Sequence, residues 1–153
     1  MARIPDLAKV PSTALTLDLE RRLRALQPLT PRKVDRAHTI NLTGDMAKYI
    51  WSLNGVAWTP SVPPLPIANG ERVELVMVNQ TGMSHPMHLH GHEFQVVEID
   101  GKRFPGAVRD TVLVPPGRRV VVAFDANNPG LWAFHCHLLY HLDAGMFTTL
   151  QYV

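Results

Sequence analysis

The sequence predicts an all-β domain, an antiparallel Greek-key sandwich or barrel, from three observations. Runs of five to eight residues that are apolar or alternate apolar with polar recur along most of the chain after residue 36. Turn signals rich in Gly, Pro and Asn separate them at short intervals. Only residues 138–145, LLYHLDAG, have room for a helix, and only for a turn or two. The 153 residues suffice for one domain with a real core, and a composition 46% hydrophobic and 18% charged is that of a globular protein.

Taken in order, residues 1–36 read as a linker arm, punctuated by Pro5, Pro11, Pro28 and Pro31. Within it Leu15, Leu19, Leu23 and Leu26 have helical spacing while Leu15, Leu17 and Leu19 alternate like a strand, and a short helix is favoured. The domain proper spans 37–153. Its first strand is AHTINLT, where His38, Ile40 and Leu42 share one face, which makes His38 a half-buried structural histidine. YIWSLNG follows and turns at Asn54-Gly55, then come RVELVMVN (72–79), FQVVEI (94–99), DTVLV (110–114), RRVVVAF (118–124), LWAFHCH (131–137) and MFTTLQYV (146–153). Ala68-Asn69-Gly70, Asp100-Gly101, Pro115-Pro116-Gly117 and Asn127-Asn128-Pro129-Gly130 are the turns between them. The total is seven or eight strands.

Composition excludes several classes. A net charge of +2 with scattered basic residues gives neither a nucleic-acid stripe nor a polybasic membrane patch, and no apolar run reaches the length of a membrane span. One cysteine excludes an intrachain disulfide. The start, MARIPDLAKVPST, lacks a secretory signal, so either the chain stays in the cytoplasm or Met1 is not its natural start. Asn41-Leu-Thr43 and Asn79-Gln-Thr81 match glycosylation sequons.

Seven of the eight histidines lie in two windows, 85–92 and 135–141, where random placement would put fewer than one. Strand alternation sorts them. His135 and His137 point to one side and Cys136 to the other; His88 and His90 share a side, with His85 tending to the opposite one. One group is therefore Cys136 with His85, His141 and Met146, and the other is His88, His90, His135 and His137. Thiolate, two imidazoles and a weak thioether are the donor set of a blue copper centre, and four imidazoles without sulfur suit further copper ions with oxygen ligands. A buried apolar cysteine, a Cys–His nucleophile and structural zinc are the competing readings, and none uses all seven histidines. His92 follows the Gly91 bend and is expected to be structural, Met83 and Met87 to be core, and Asp143 to be a solvated loop carboxylate.

SHPMHLHGH and HCHLLYHLDAGM, with WSLNGVAW and RDTVLVPPGRRVVVAFDANNPGLWAFHCH, resemble the C-terminal cupredoxin domain of multicopper oxidases, bacterial copper-resistance and laccase-like members above all. The resemblance covers roughly 37–153 and implies a cupredoxin-like fold. It assigns His85, Cys136 and His141 to type 1 copper with Met146 axial, His88 to type 2, and His90, His135 and His137 to type 3. The reaction it implies oxidises a phenol, an aromatic amine or Cu(I) one electron at a time and reduces O2 to water at a trinuclear cluster, with Cys136, His135 and His137 joining the two centres. It favours a periplasmic or otherwise exported setting. Two features depart from the pattern: the cluster's other His-x-His motifs are missing, and Leu142 stands where some metal-oxidising relatives carry an acid. The chain thus holds a whole type 1 set and half a cluster, and is expected to be inactive alone. Three readings follow: the C-terminal part of a longer oxidase whose second cupredoxin domain completes the cluster, a stand-alone electron-transfer or copper-binding protein, or an oligomer in which another copy supplies the missing histidines.

Overall fold

The computed structural model describes residues 15–153. Among the described residues, twelve strands form two mixed sheets around one core: β1 (Arg36–Asp45), β2 (Ile50–Leu53), β3 (Leu65–Ile67), β4 (Arg72–Asn79), β5 (His85–Leu89), β6 (Phe94–Ile99), β7 (Lys102–Arg103), β8 (Val108–Arg109), β9 (Thr111–Val114), β10 (Arg119–Asp125), β11 (Leu131–Cys136) and β12 (Phe147–Tyr152). The helices are α1 (Asp18–Arg22) and α2 (Leu139–Asp143). The first sheet runs β2-β1-β4-β10-β6-β7 with β8 beside β6, and the second runs β3-β12-β11-β5-β9.

Most pairs are antiparallel, but β1 pairs β4 in parallel and β12 pairs β3 in parallel, which corrects the all-antiparallel expectation. Alternation reports which face is buried, not the direction of the neighbouring strand, so the sequence carried no signal for this. The strand count also exceeds seven or eight, because β3, β7 and β8 are two or three residues long and too short to show a period.

Period two places the core. In β4, Val73, Leu75 and Met77 are fully buried, and they meet Ile40 and Leu42 of β1 and Val120, Val122 and Phe124 of β10. Phe134 and Leu89 are cross-strand partners in the second sheet and pack on the same core. Burying a side chain of this size contributes roughly 1.5–3 kcal/mol. Asn54-Gly55 and Asp100-Gly101 turn as read, with positive φ at both residues of each pair, as tight hairpin turns of this kind require.

The described part of the arm is held along the domain. The Leu15–Leu26 spacing yields α1, and Arg21 pairs with Asp100 and Glu20 with Arg109. Further on, the Leu29 N–H donates to Gln95 Oε1 at 2.9 Å, and Arg72, bonded to both carboxylate oxygens of Asp125, also donates to the Thr30 carbonyl. Pro5 and Pro11, and the start of the chain read for a signal, lie outside the described residues.

Gly91 joins the first histidine strand to β6. Its φ is +70° and an added Cβ would lie 2.3 Å from the Trp132 indole. Gly91→Ala is expected to cost about 1–3 kcal/mol of stability, from strain and overlap together, read as a lowered urea midpoint at unchanged slope.

Candidate metal centre

Strands β5 and β11 are adjacent and antiparallel, with His135 opposite His88, Cys136 opposite Met87 and Phe134 opposite Leu89. In β5 His85, Met87 and Leu89 are buried while Pro86 and His88 are not, so His85 faces the core and His88 the outside. In β11 Cys136 faces the core. His135 lies on the outer face although only 7% exposed, because Phe147 stacks on it at 5.8 Å and 11°. His90 and His137 are exposed on that same face.

Inside, His85 Nδ1 and His141 Nδ1 are 3.0 Å apart, and Cys136 Sγ lies 3.7 and 3.6 Å from them. A point equidistant from the three atoms is about 2 Å from each, inside the range of metal–imidazole bonds and slightly short of the roughly 2.3 Å of a metal–thiolate bond. A metal ion with this donor set therefore fits. His141 arrives on α2, one turn beyond the strand. Gly145, at φ +110°, then reverses the chain so that the Met146 carbonyl accepts from the Cys136 N–H and the Met146 N–H donates to the His141 carbonyl. Met146 is fully buried and tied through its backbone to two of the three donors.

Outside, a second group of donor nitrogens, from His88, His90 and His135, lies within 4.8 Å of one another, with His90 Nε2 2.9 Å from His135 Nε2. His137 stands beside them, its ring 5.4 Å from His88. The structure thus brings together the two groups that alternation separates, back to back across one pair of strands.

Hydrogen bonds fix which nitrogen each ring offers. His88 Nδ1 faces the Asp110 carbonyl at 3.0 Å and Thr111 Oγ1 at 2.9 Å, and His135 Nδ1 faces the Cys136 carbonyl at 3.0 Å. A carbonyl only accepts, so both Nδ1 atoms carry the proton and both Nε2 lone pairs face outward. His85 is the reverse case. Thr81 Oγ1 sits 2.7 Å from its Nε2 and donates its own proton to Asn79 Oδ1 or the Met83 carbonyl, so Nε2–H donates and Nδ1 stays free. Orientation of this kind by outer partners is what metal-binding histidines require.

Burial sets the protonation of the inner group. It pushes the Cys136 thiol up to about 11, against a smaller opposing bond from the Leu138 N–H. It pulls His85 down to about 4, helped by neighbouring His141, and lowers His141 as well. At neutral pH the metal-free pocket is a thiol among neutral imidazoles, and a metal ion entering it displaces the thiol proton.

The remaining histidines are structural. His92 turns inward past Gly91: its Nδ1–H donates to the His90 carbonyl and its Nε2 accepts from the Tyr152 hydroxyl at 2.7 Å, which leaves no lone pair free. His38 Nε2 bonds the Pro66 carbonyl. Met87 is core, Met83 packs against the core, and Asp143 is exposed. Asn79 is 1% exposed, with its amide on the Met83 and Val114 carbonyls, so its sequon is closed. Sequence reading missed Thr81, Thr111 and Asp110, which sit four, twenty-three and twenty-two residues from the rings they orient.

The family described as "Multicopper oxidase" matches residues 31–153. Multicopper oxidase MmcO of Mycobacterium tuberculosis is 46% identical over 114 residues, covering 74% of this chain and 22% of that protein. Copper resistance protein A of Escherichia coli is 39% identical over 120 residues, covering 78% and 19%. Among solved structures, the McoA multicopper oxidase from the hyperthermophile Aquifex aeolicus superposes with a TM-score of 0.68 at 32% identity, over 82% of this chain and 31% of that one. The chain belongs to the multicopper oxidase family and has its cupredoxin fold, and it spans about a fifth of the length of the curated relatives it matches.

Two predictions rest on this geometry. Metal-free stability is expected to fall as pH drops from about 6.5 through about 4, where the unfolded chain protonates His85 first, and again as pH rises from about 9 to about 11, where the unfolded chain ionises Cys136 first. Chemical denaturation across pH should therefore show a plateau between about 6.5 and 9. Thr81→Val should weaken metal binding at the inner site by about 10–100-fold while leaving a cooperative unfolding transition, as measured by competition with a chelator.

Proposed function

We propose that this chain is the type 1 copper domain of a multicopper oxidase, which takes single electrons from a reducing substrate and passes them to a trinuclear copper cluster completed by another cupredoxin domain. The observation that carries the reading is the back-to-back placement of a buried Cys136–His85–His141 set and four outward imidazoles across one pair of strands. Bound copper supplies one-electron redox chemistry at the inner site and, in the cluster, the four-electron reduction of O2 to water.

The protein's own residues have separate tasks. Cys136, His85 and His141, with Met146 beside them in the chain fold, would hold the inner ion in a pocket whose members are at most 3% exposed, which excludes water. Cys136 is covalently continuous with His135 and His137, which belong to the outer set, and its carbonyl accepts from His135 Nδ1. Sulfur and outer imidazoles are thereby joined by the backbone and by one hydrogen bond across a single peptide. His88 is the type 2 donor of this chain and His90, His135 and His137 its type 3 donors.

Leu138, next to His137 in the chain, is exposed. The outer four stand on one face of the sheet and would approach an ion from that side, which leaves the other side to a covering surface. That surface is a second cupredoxin domain, or another copy of the chain meeting it about a twofold axis. Small reductants such as phenols, aromatic amines or Cu(I) fit the electron-accepting role, and an exported, periplasmic setting fits the copper resistance relatives. A second reading, electron transfer without oxygen chemistry, is supported by the convergence of His85, Cys136 and His141 within this chain.

Loading with Cu(II) is expected to give one tightly held copper per chain and an intense blue absorption. Cys136→Ser should abolish the band, while His137→Ala should leave it and remove only copper bound outside. Bleaching by His137→Ala would overturn the division of ligands. More than one tightly bound copper per chain, in a species larger than a monomer that consumes O2, would place the cluster between copies.

A further inference from the structure

The Trp51 side chain, on β2, donates no hydrogen bond among the described residues and offers no ligand atom, yet the local backbone is shaped around it. It is 1% exposed. Its ring centroid lies 4.1 Å from that of His141 at an interplanar angle of 31°, and 5.2 Å from that of His85 at 66°. One indole thus lies nearly flat on one imidazole and edge-on to the other. Tyr49 meets it from the solvent side, edge-on at 6.4 Å.

One glycine makes room for that ring, and two further backbone contacts hold its strand against the turn before Met146. Gly44 is its partner across β1 and β2, and a Cβ there would lie 2.3 Å from the indole Cε3. Gly145 packs beneath the same strand, where a Cβ would lie 2.9 Å from the Trp51 carbonyl oxygen. The Trp51 N–H in turn donates to the Ala144 carbonyl at 3.4 Å, tying β2 to the turn that precedes Met146. The indole Nε1–H is buried without a hydrogen-bond partner among the described residues. A buried unpaired N–H is unfavourable, so the ring faces, not the polar edge, hold this side chain in place.

We infer that Trp51 is a positioning residue of the inner site: its indole fixes the planes of His141 and His85 so that their Nδ1 atoms stay converged on Cys136 Sγ before metal arrives. The inference rests on the inner site being a metal centre, and deepens the copper reading. His141 most needs such a support, since it stands on a five-residue helix beyond the sheet and its ring orientation is not set by strand pairing. An aromatic ring of the right shape is what the role requires, and the indole nitrogen contributes nothing to it.

The test compares the wild type with Trp51→Phe, Trp51→Leu and Gly44→Ala on the full chain. Each is titrated with Cu(II) and separately with Co(II), recording affinity by chelator competition, the thiolate-to-metal absorption and, for copper, the reduction potential. Urea unfolding reports the fold. Trp51→Phe is expected to keep wild-type affinity and spectrum. Trp51→Leu, which keeps apolar bulk without a ring, and Gly44→Ala, which displaces the ring without removing it, should each bind about tenfold more weakly, with a shifted and broadened thiolate band and a changed copper potential. If Trp51→Leu does not fold, Gly44→Ala gives the same readout. Wild-type affinity and band in the folded non-aromatic or displaced-ring variants would overturn the inference. A wild type that gives no blue band with Cu(II) would overturn the copper reading instead, and the Co(II) affinities would then decide the role of Trp51 alone.

Discussion

The antiparallel register of β5 and β11 is the constraint on which both candidate metal sites depend. Because successive side chains in a strand alternate sides, Cys136 and His135 are chain neighbours that look into different environments. Pairing His135 with His88 then fixes the outer face, and pairing Cys136 with Met87 brings the thiol to the same interior as His85. A slip of one residue would turn the thiol to solvent and drive imidazoles into the core. Register is held against that slip by Phe134 and Leu89, which are fully buried partners one step further along the same ladder. Core packing and ligand placement are therefore enforced by the same contacts.

The two faces work in different physical regimes. Inside, the donors are stripped of water, which keeps the thiol protonated and the imidazoles neutral, so the pocket carries no charge that would oppose folding without metal. Its geometry is kept by neutral hydrogen bonds: Thr81 behind His85, the Met146 backbone behind Cys136 and His141. Outside, His88 and His90 are not fully buried. There the fold contributes direction, through the Asp110 and Cys136 carbonyls that hold Nδ1–H and turn Nε2 outward.

Much of this was legible in the sequence, for identifiable reasons. Strands 72–79 and 94–99 match the structure to the residue, because apolar runs bounded by turn residues are local information. The division of the histidines was legible because parity is local too, and because soft and imidazole donors rarely cluster without a purpose. Parallel pairing was not legible, nor were β3, β7 and β8, since neither direction nor a two-residue strand leaves a periodic trace. The supports were missed for another reason. Trp51 lies ninety residues from His141, and Thr111 twenty-three from His88, so only the closed fold brings them together. First-contact donors announce themselves by residue type, whereas a threonine or tryptophan that orients them looks like any other.

The different surroundings of the two sets follow from geometry. A pocket between two sheets surrounds an ion on every side, and the inner donors come from β5, β11, α2 and the turn after it, elements that all close on one another within this chain. A sheet face cannot surround anything. Its alternate side chains stand roughly perpendicular to it and form one wall, as His88, His90, His135 and His137 do. An ion held on that wall would have open positions on the side away from the sheet. Filling those positions with imidazoles requires a second wall. A surface of similar construction meets the requirement with the fewest new features, because the alternation that builds the first wall builds the second as well. The inner donors therefore converge only because a helix and a turn fold back onto the strand pair, while the outer ones need nothing but the strands and their alternation.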